Sequence, residues 1–326
     1  MRDDPRRPAR IRRLREELEE AGFRFDGSAA WSEVLLDEIE RTVHPPVHER
    51  RVSSMGAIID PRSDPATWEA ATDLRIVERP TGEQPLVWAR RFADGLSSWL
   101  IRRSNGPDAW AVFDRPAGSE RDLGVLSAAF DATIVQRHPA GPVRVVGAAG
   151  VWRWERYDWH HEPPVSGWID AMRVCPEHGD PVVLQALLEF AVHDLGAWGI
   201  GALLVYRPDD APGPVVEERL PLPPFLEILR PMSLAPLRHA LAQVDGAAVF
   251  DASGTLQQLG VRLVPSSDAE ELVEGYRGMR HTSARRYSYD DPLATVIVVS
   301  EDGPVTVLRN GEMLGASPTP APTEID

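Results

Sequence analysis

Three short polar segments in the last third of the chain carry residue types that suit an anionic ligand. Asp245-Gly246-Ala247 sets a carboxylate, which can hold a divalent cation or accept a hydroxyl proton, before two small residues that allow close approach to the backbone. The basic segment, residues 277–288, has four arginines and one histidine; a helix start there would offer N–H groups, hydroxyls and guanidiniums to an anion. "VVSED", residues 298–302, places Ser300 and Glu301 at a strand end. Each segment alone is a weak signal, so their order and spacing carry the prediction.

The elements that must position these segments alternate helices with apolar strands. Residues 181–201 have apolar residues at helical spacing, with Gly196 or Gly199 as terminator. "GALLVYRP" predicts a buried strand, and "DGAAVFDASGTLQQLGVRLVP" predicts two strands joined by the turn "DASG". "SDAEELVEGYRGM" predicts a helix, and "LATVIVVS" and "GPVTVLRNGEM" predict strands. This alternation indicates an α/β domain with a central mixed β-sheet flanked by helices.

The first half of the chain predicts a separate α+β domain. Helices are expected at residues 10–21 and in "SEVLLDEIERTV". From about 70 to 155, short apolar runs alternate with Gly, Pro and Asp turns, as in a mixed or antiparallel sheet, and the tryptophans there favour core positions. The predicted division is an N-terminal domain of residues 1–175, a second domain of 176–315, and a disordered Pro-, Ala- and Thr-rich tail of 316–326.

Composition narrows the function classes. The 326 residues carry a formal net charge of −15 with a pI near 5.1, which argues against a broad nucleic-acid footprint. No apolar stretch approaches the roughly 20 residues that span a bilayer, so no membrane partner is expected. A lone Cys175 and a basic start without an apolar signal region favour the cytoplasm.

The chain contains no lysine, because all 35 basic residues are arginine. This excludes a P-loop lysine, a kinase strand lysine, a Schiff base and a lysyl-nucleotidyl intermediate. Phosphates would have to be bound by Arg, His, hydroxyls, backbone N–H groups or a metal.

Residues 158–180 contain several possible metal ligands, but the pattern is weak. Adjacent His160 and His161 would point to opposite faces of a strand, and no H-x3-H or C-x2-C pair is present. A structural interpretation is therefore favoured over a metal site. The residues concerned are Asp158, His160, His161, Glu162, Cys175 and His178.

Taken together, the C-terminal segments resemble the diadenylate cyclase domain, the nucleotide-binding domain of the DNA integrity scanning protein and its relatives. "DGAAVF", "GMRHTSARRYS" and "ATVIVVSED" stand in the order of that family's DGA motif, G-T-R-H-R motif and V-S-E-E strand end. The resemblance spans residues 180 to 312. Residues 1–175 stand where members of this family carry a sensory or regulatory region.

The resemblance implies condensation of two ATP molecules into cyclic di-AMP with loss of two pyrophosphates. The site would lie between two domains placed face to face in a homodimer or higher homo-oligomer, with Mg²⁺ or Mn²⁺ as cofactor. Asp245 would be the metal ligand and would activate the ribose 3′-hydroxyl, while Arg280 and His281 would contact the phosphates as further catalytic residues. The other implied nucleotide contacts are Gly246, Ala247, Gly278, Thr282, Ser283, Ser300 and Glu301.

The sequence departs from the family pattern at two motif positions and beside a third. Met279 and Thr282 replace a hydroxyl and a guanidinium of G-T-R-H-R, and Val244 stands where some relatives have a metal-binding histidine. Arg285 and Arg286, one helical turn on, are candidates to restore the charge. Three interpretations stay open: an active cyclase controlled by its N-terminal half, a degenerate domain that senses a nucleotide, and a structural dimer without a nucleotide.

Overall fold

The computed structural model describes residues 6–155, 157–172, 176–209, 216–217, 220, 222–276, 278–301 and 304–317. The chain divides into two compact units, Met1–Pro164 and Val165–Asp326. The sequence placed this boundary after residue 175. The difference arises because the short helix Ser166–Ala171 contacts elements of the second unit.

The amino-terminal unit is built from short strands and helices, as its sequence predicts. Its described helices are α1 (Arg7–Glu20), α2 (Ala29–Val43), α3 (Pro65–Thr72), α4 (Leu86–Ala89), followed by the 3-10 turn Arg90–Phe92, and α5 (Glu120–Phe130). Its described strands are β1 (Val47–His48), β2 (Arg51–Val52), β3 (Met55–Ile59), β4 (Ile76–Pro80), β5 (Ser98–Arg102), β6 (Ala109–Phe113), β7 (Thr133–Arg137), β8 (Val143–Gly147), β9 (Gly150–Glu155) and β10 (Asp158–Glu162).

Eight of these strands form one mixed sheet in the order β10-β9-β8-β7-β3-β5-β6-β4. Strands β3 and β5 are parallel, and the other neighbouring pairs are antiparallel. One face of the sheet packs against α3 and α5 and the other against α1 and α2. Because β3 is covered on both faces, all five of its residues are buried. The sequence predicted a mixed or antiparallel sheet, and the parallel pair β3–β5 makes it a mixed one.

A buried charge cluster lies beneath the first turn of α5. Glu120 accepts a hydrogen bond of 2.8 Å from Nε of Arg153, and its carboxylate lies 3.3 Å from Nε of Arg144. The side chain of Glu120 has no exposed surface, and that of Arg144 is 2% exposed. Burial lowers the pKa of Arg144, although the charge of Glu120 opposes the shift. The three charges therefore depend on one another.

The carboxy-terminal unit is the α/β domain predicted from the sequence. Its described helices are α6 (Ser166–Ala171), α7 (Pro181–Glu189), α8 (Pro231–Leu241), α9 (Ser267–Leu272) and α10 (Met279–Asp290), with a 3-10 turn at Pro176–His178. Its described strands are β11 (Ala202–Tyr206), β12 (Val216–Glu217), β13 (Ala247–Phe250), β14 (Leu256–Leu263), β15 (Thr295–Val299), β16 (Val305–Arg309) and β17 (Glu312–Ala316).

The sheet of this unit has the order β12-β14-β13-β11-β15-β16-β17. Strand β11 is parallel to β13 and antiparallel to β15. Helices α7 and α8 cover one face and α10 covers the other. The chain after α7 continues as a π-helical segment, Phe190–Leu195, and a 3-10 turn, Gly196–Trp198, before Gly199 ends it with φ +63°. Of the two predicted terminators, Gly199 is the one used.

Two sequence predictions for this unit need correction. The helix predicted over residues 267–279 ends at Leu272, because the backbone at Val273 is extended. Ala316 and Ser317, assigned from sequence to a disordered tail, are ordered: Ala316 ends β17, and the Ser317 hydroxyl accepts a hydrogen bond from the Val305 amide at 2.7 Å. The rest of the predicted tail lies outside the described residues, as does Cys175.

Within the part of the chain that the structure describes, no helix combines the length and the apolar character needed to cross a membrane.

Glu120→Gln should destabilise the amino-terminal unit, because it leaves the buried Arg144 without its compensating charge. Breaking a buried ion pair by removing one partner costs about 3–5 kcal/mol. Chemical denaturation monitored by tryptophan fluorescence would measure this loss. Glu19→Gln, which removes the exposed pair with Arg15, is the matched control and should change stability by less than about 1 kcal/mol. Equal effects of the two substitutions would contradict the prediction.

Candidate functional site

The predicted polar segments meet at one edge of the carboxy-terminal sheet. Because β11 and β13 run parallel and β15 runs antiparallel to β11, the starts of the first two lie beside the end of the third. Asp245 precedes β13, and Glu301 follows β15. The sequence placed Asp245 directly before one strand and Glu301 at the end of another, and the opposite directions of β13 and β15 bring both residues to one edge. The site therefore lies at the amino ends of the parallel pair, whereas open α/β sheets commonly bind ligands at the carboxyl ends.

Arg280, in the first turn of α10, connects the other two segments. Its Nη2 lies 3.5 Å from Oδ1 of Asp245, and its Nη1 donates a 3.1 Å hydrogen bond to Oε1 of Glu301. The exposed fractions of these side chains are 42% for Arg280, 95% for Asp245 and 67% for Glu301. Ion pairs this exposed contribute little to stability. An incoming anion can therefore take the guanidinium and release both carboxylates.

Gly201, just before β11, is a site residue that sequence reasoning missed. A Cβ at this position would collide with Nη1 of Arg280 and lie 2.8 Å from Cγ of Glu301. The absence of a side chain therefore lets the Arg280–Glu301 pair lie against the backbone. The available signal was the glycine that opens "GALLVY", directly before a fully buried strand.

Two predicted glycines have backbone conformations that explain their presence. Gly246 has φ +111°, and a Cβ there would lie 2.7 Å from the carbonyl carbon of Gly260. Gly278 has φ +117° and is the N-cap of α10, without a side-chain cap bond. No atom lies within 4 Å of a Cβ built on Gly278, and Gly278, Met279 and Arg280 are exposed, so the start of α10 lies at the surface. The predicted helix start in the basic segment is thereby confirmed.

A cavity of about 380 Å³ lies beside this edge, between the sheet and α10. Four predicted residues line it, Gly246, Ala247, Arg280 and Ser283. The remaining lining residues are Leu203, Val261, Arg262, Leu263, Pro265, Glu270, Met279 and Arg286.

Six of the ten predicted site residues do not line this cavity: besides Asp245, Gly278 and Glu301, these are His281, Thr282 and Ser300. His281 is 7% exposed and packs edge-on against Tyr276, with ring centroids 5.9 Å apart. The Thr282 hydroxyl accepts a 3.0 Å hydrogen bond from the Tyr276 amide, so it holds the preceding loop. Ser300 is half-buried, and its amide donates to the Pro304 carbonyl. The first turn of α10 thus presents Arg280 to the open edge while His281 points into the unit.

The two arginines expected to restore positive charge bind backbone carbonyls. Arg285 donates to the carbonyl of Gly311 at 2.8 Å, and Arg286 donates to that of Val273 at 3.2 Å. Of the two, Arg286 lines the cavity. Arg285 therefore anchors α10 to the β16–β17 turn and does not replace the guanidinium missing at Thr282. Arg277 lies outside the described residues.

No group of three or more His, Cys, Asp or Glu side chains with metal-site geometry occurs among the described residues. Asp245 and Glu301 nevertheless form a donor set that suits Mg²⁺ in a nucleotide complex, since this ion takes one or two carboxylates together with substrate phosphates and water. The exposure of Asp245 leaves both of its oxygens accessible for that purpose.

Comparison with protein families assigns both units. Residues 12–162 match the family described as "Probable sensor domain DACNK", and residues 189–313 match DAC, described as "DisA bacterial checkpoint controller nucleotide-binding". The chain carries a DACNK sensor domain followed by a DAC nucleotide-binding domain. The resemblance noted in the sequence is thereby confirmed, and the Asp245–Arg280–Glu301 edge lies within the DAC domain.

Other comparisons add little. None of the curated proteins compared matches the chain. A solved structure titled "The crystal structure of the hypothetical membrane spanning protein from Bacillus cereus" matches with 20% identity and a TM-score of 0.32, over 40% of this chain and 61% of that one. The chain thus spans less than two thirds of that structure.

Gly201→Ala should weaken nucleotide binding by the DAC domain, because the added methyl group displaces Arg280 and Glu301. A lost charge-assisted hydrogen bond is worth about 1.5–3 kcal/mol, or roughly a 10- to 150-fold rise in Kd. Isothermal titration with an ATP analogue would measure it. Gly167→Ala, on α6 with open space around its Cβ, is the control. Unchanged affinity in Gly201→Ala would contradict the assigned position of Arg280.

Thr282→Val should loosen the loop before α10, because the Tyr276 amide loses its acceptor. The expected result is faster hydrogen exchange at that amide, corresponding to about 1–3 kcal/mol for an unsatisfied group. Thr282→Ser retains the hydroxyl and should preserve the protection. Equal exchange in the Val and Ser variants would show that the hydroxyl does not hold the loop.

Proposed function

We propose that the DAC domain is a diadenylate cyclase that condenses two ATP molecules into cyclic di-AMP and two pyrophosphates. The observation that carries this proposal is the meeting of Asp245, Arg280 and Glu301 at one sheet edge. These groups lie beside a cavity and beside a glycine-capped helix start. A carboxylate, a guanidinium and exposed helix amides are the groups that an in-line displacement at phosphorus requires.

Each condensation step forms one P–O bond and breaks another. The ribose 3′-oxygen of one ATP attacks the α-phosphorus of the other, and pyrophosphate leaves. In this proposal Asp245 accepts the 3′-hydroxyl proton once Arg280 turns to the phosphates. The same reaction with the roles of the two nucleotides exchanged closes the ring, so two protons and two pyrophosphates are released in all.

The side chains around the edge have separate roles in this proposal. Arg280 neutralises charge on the phosphates, the amides after Gly278 bind phosphate oxygens, and Gly246 lets the nucleotide approach β13. Glu301 holds the Arg280 guanidinium in place before the nucleotide arrives. A bound Mg²⁺ or Mn²⁺ on Asp245 would supply neutralisation of charge on the phosphates and leaving group.

One edge provides the groups for one nucleotide, whereas the reaction joins two. We therefore propose a second copy of this chain as the partner, with the two DAC edges face to face. The DACNK unit, which belongs to a family described as a sensor, is proposed to regulate this reaction.

The chain also has features that favour a second function, a nucleotide-binding sensor module without turnover. The Thr282 hydroxyl is committed to Tyr276, Met279 is 89% exposed without a polar group, and Val244 supplies no metal ligand. Loss of one charge-assisted phosphate contact costs about 1.5–3 kcal/mol, or roughly one to two powers of ten in rate. A slow enzyme and a pure binding module are both compatible with such a loss.

Incubation of the full chain with ATP and Mn²⁺, followed by mass detection of the product, tests the proposal. Cyclic di-AMP is the expected product, and Asp245→Asn should abolish it because the amide neither accepts the proton nor holds the metal. Glu271→Gln, an exposed carboxylate on α9, is the control and should leave the rate unchanged. Thermal stabilisation by ATP without product would favour the sensor module. If the chain forms no product and is not stabilised by ATP with any divalent ion, both proposed functions are overturned.

A further inference from the structure

The sheets of the two units have the same strand order. Read from the β4 edge of one sheet and from the β12 edge of the other, the order β4-β6-β5-β3-β7-β8-β9 corresponds to β12-β14-β13-β11-β15-β16-β17. The corresponding strands also follow one another in the same order along the chain. In each unit the first strand is parallel to the third and antiparallel to the fifth. The difference is that the amino-terminal sheet continues with β10.

The hydrogen-bond registers of the central strands match, although β13–β14 and β16–β17 contain register shifts that β5–β6 and β8–β9 lack. Ile59 pairs with Thr133 and Arg102 in the first sheet, as Tyr206 pairs with Thr295 and Phe250 in the second. The strands β7 and β15 both begin with a threonine that follows an alanine, in "ATIV" and "ATVIV". The residues of β3, β5 and β7 therefore have defined counterparts in β11, β13 and β15.

The helices occupy the same places. In each unit a helix precedes the first strand and packs on one face of the sheet, α2 in one and α7 in the other. In each unit the helix before the fifth strand, α5 or α10, packs on the opposite face. The shared arrangement thus includes the helix whose first turn carries Arg280 in the DAC domain.

The counterpart of the DAC cavity is filled in the amino-terminal unit. Five sheet residues line the cavity, and four of them, Leu203, Ala247, Val261 and Leu263, are apolar. The counterparts of these four by register are Gly56, Trp99, Ala111 and Phe113. Trp99 has no exposed surface, and its ring lies 6.4 Å from that of Phe113. A Cβ on Gly56 would lie 2.5 Å from Cε3 of Trp99. The indole therefore takes up the space that Leu203 and Ala247 leave open.

The loop before β5 is closed by its own hydrogen bonds. Ser97 is the counterpart of Asp245, so the exposed carboxylate is missing. Asp94 Oδ1 accepts hydrogen bonds from the amides of Leu96 and Ser97 at 2.7 and 2.8 Å. Gln136, at the register position of Val298, donates to the carbonyls of Gly95 and Gly118 at 2.8 and 3.0 Å.

The first turn of α5 is also closed. Its N-cap Ser119 forms a capping box with Asp122, whereas the DAC counterpart Gly278 has no side-chain cap. The next residue, Glu120, is buried against Arg144, which stands at the register position of Thr306. The first turn of α5 therefore has an amide, that of Asp122, satisfied by the N-cap side chain, whereas the N-cap of α10 offers no side chain.

We infer that the DACNK unit is a diverged second copy of the DAC fold in which Trp99 and the Asp94 loop fill the place of the nucleotide. The chain then has one nucleotide site instead of two, and the second ATP of the reaction must come from another chain. The number of ATP molecules bound per chain rests on the proposed function. The filling of the amino-terminal cavity by Trp99 and the Asp94 loop does not.

Photolabelling of the full chain with an azido analogue of ATP tests the stoichiometry. Label is expected on peptides from residues 203–301, at one equivalent per chain, and is expected to disappear in Arg280→Ala. Label on peptides that contain residues 55–59, 94–99 or 117–122 would overturn the inference. No label anywhere would overturn the proposed function, and hydrogen exchange then decides the closure.

Hydrogen exchange of the ligand-free chain tests the closure without any nucleotide. The amides of residues 96–98 and 122 should be protected, because each has a side-chain acceptor, whereas those of 279–281 should exchange rapidly. Comparable rapid exchange at the two edges would overturn the inference.

A third test introduces the residue types of Gly56 and Trp99 at the corresponding positions of the DAC domain. The double variant Leu203→Gly/Ala247→Trp copies Gly56 and Trp99 into the DAC domain, and it should lose at least 100-fold in ATP affinity. Melting temperature and the near-ultraviolet spectrum show whether the unit remains folded. A folded double variant that binds ATP as the wild type does would overturn the equivalence of the two positions.

Discussion

The antiparallel pairing of β15 with β11 is the constraint on which the candidate site depends. The parallel pair β11 and β13 brings Gly201 and Asp245 to one edge of the sheet. Only a strand of opposite direction can deliver its carboxyl end, and with it Glu301, to the same place. Helix α10 directly precedes β15 in the chain and packs on one face of the sheet. Because the helix and β15 follow one another, the first turn of α10 lies at that edge as well. An all-parallel sheet would separate Asp245 and Glu301 by the length of a strand.

Arg280 can exchange its carboxylate partners for an anionic ligand because its ion pairs are weak. Two carboxylates share its guanidinium, and all three side chains are substantially exposed, so water screens the attraction. The buried cluster of Glu120, Arg144 and Arg153 represents the opposite case, since Glu120 has no exposed surface, Arg144 is 2% exposed and Arg153 is 14% exposed, so water has little access to replace a lost partner. The same residue types therefore make an exchangeable site in one unit and a fixed structural contact in the other.

The sequence predicted the elements better than their meeting point. Apolar runs such as "GALLVY" and "ATVIVV" define buried strands by local pattern alone, and the basic segment contains its own helix start. Strand direction depends on pairings between distant residues, so the edge used by the site was not evident from pattern. Gly201 was missed for the same reason, because its neighbours Arg280 and Glu301 are far along the chain. The inward position of His281 follows from the rotation of α10 about its axis against the sheet, which depends on packing with distant residues and not on the motif.

The equivalence of the two units was hidden in the sequence because packing, unlike topology, constrains residue type only loosely. A sheet keeps its order as long as buried positions stay apolar and the total volume is conserved. Exchange of Leu203 and Ala247 for Gly56 and Trp99 satisfies that rule as a pair, since the larger side chain at one position is offset by glycine at its neighbour. Neither single exchange satisfies it, since a Cβ beside Trp99 would overlap the ring. Such paired exchange preserves the fold while it removes the cavity, and a strand order can therefore outlast both the sequence and the site it once formed.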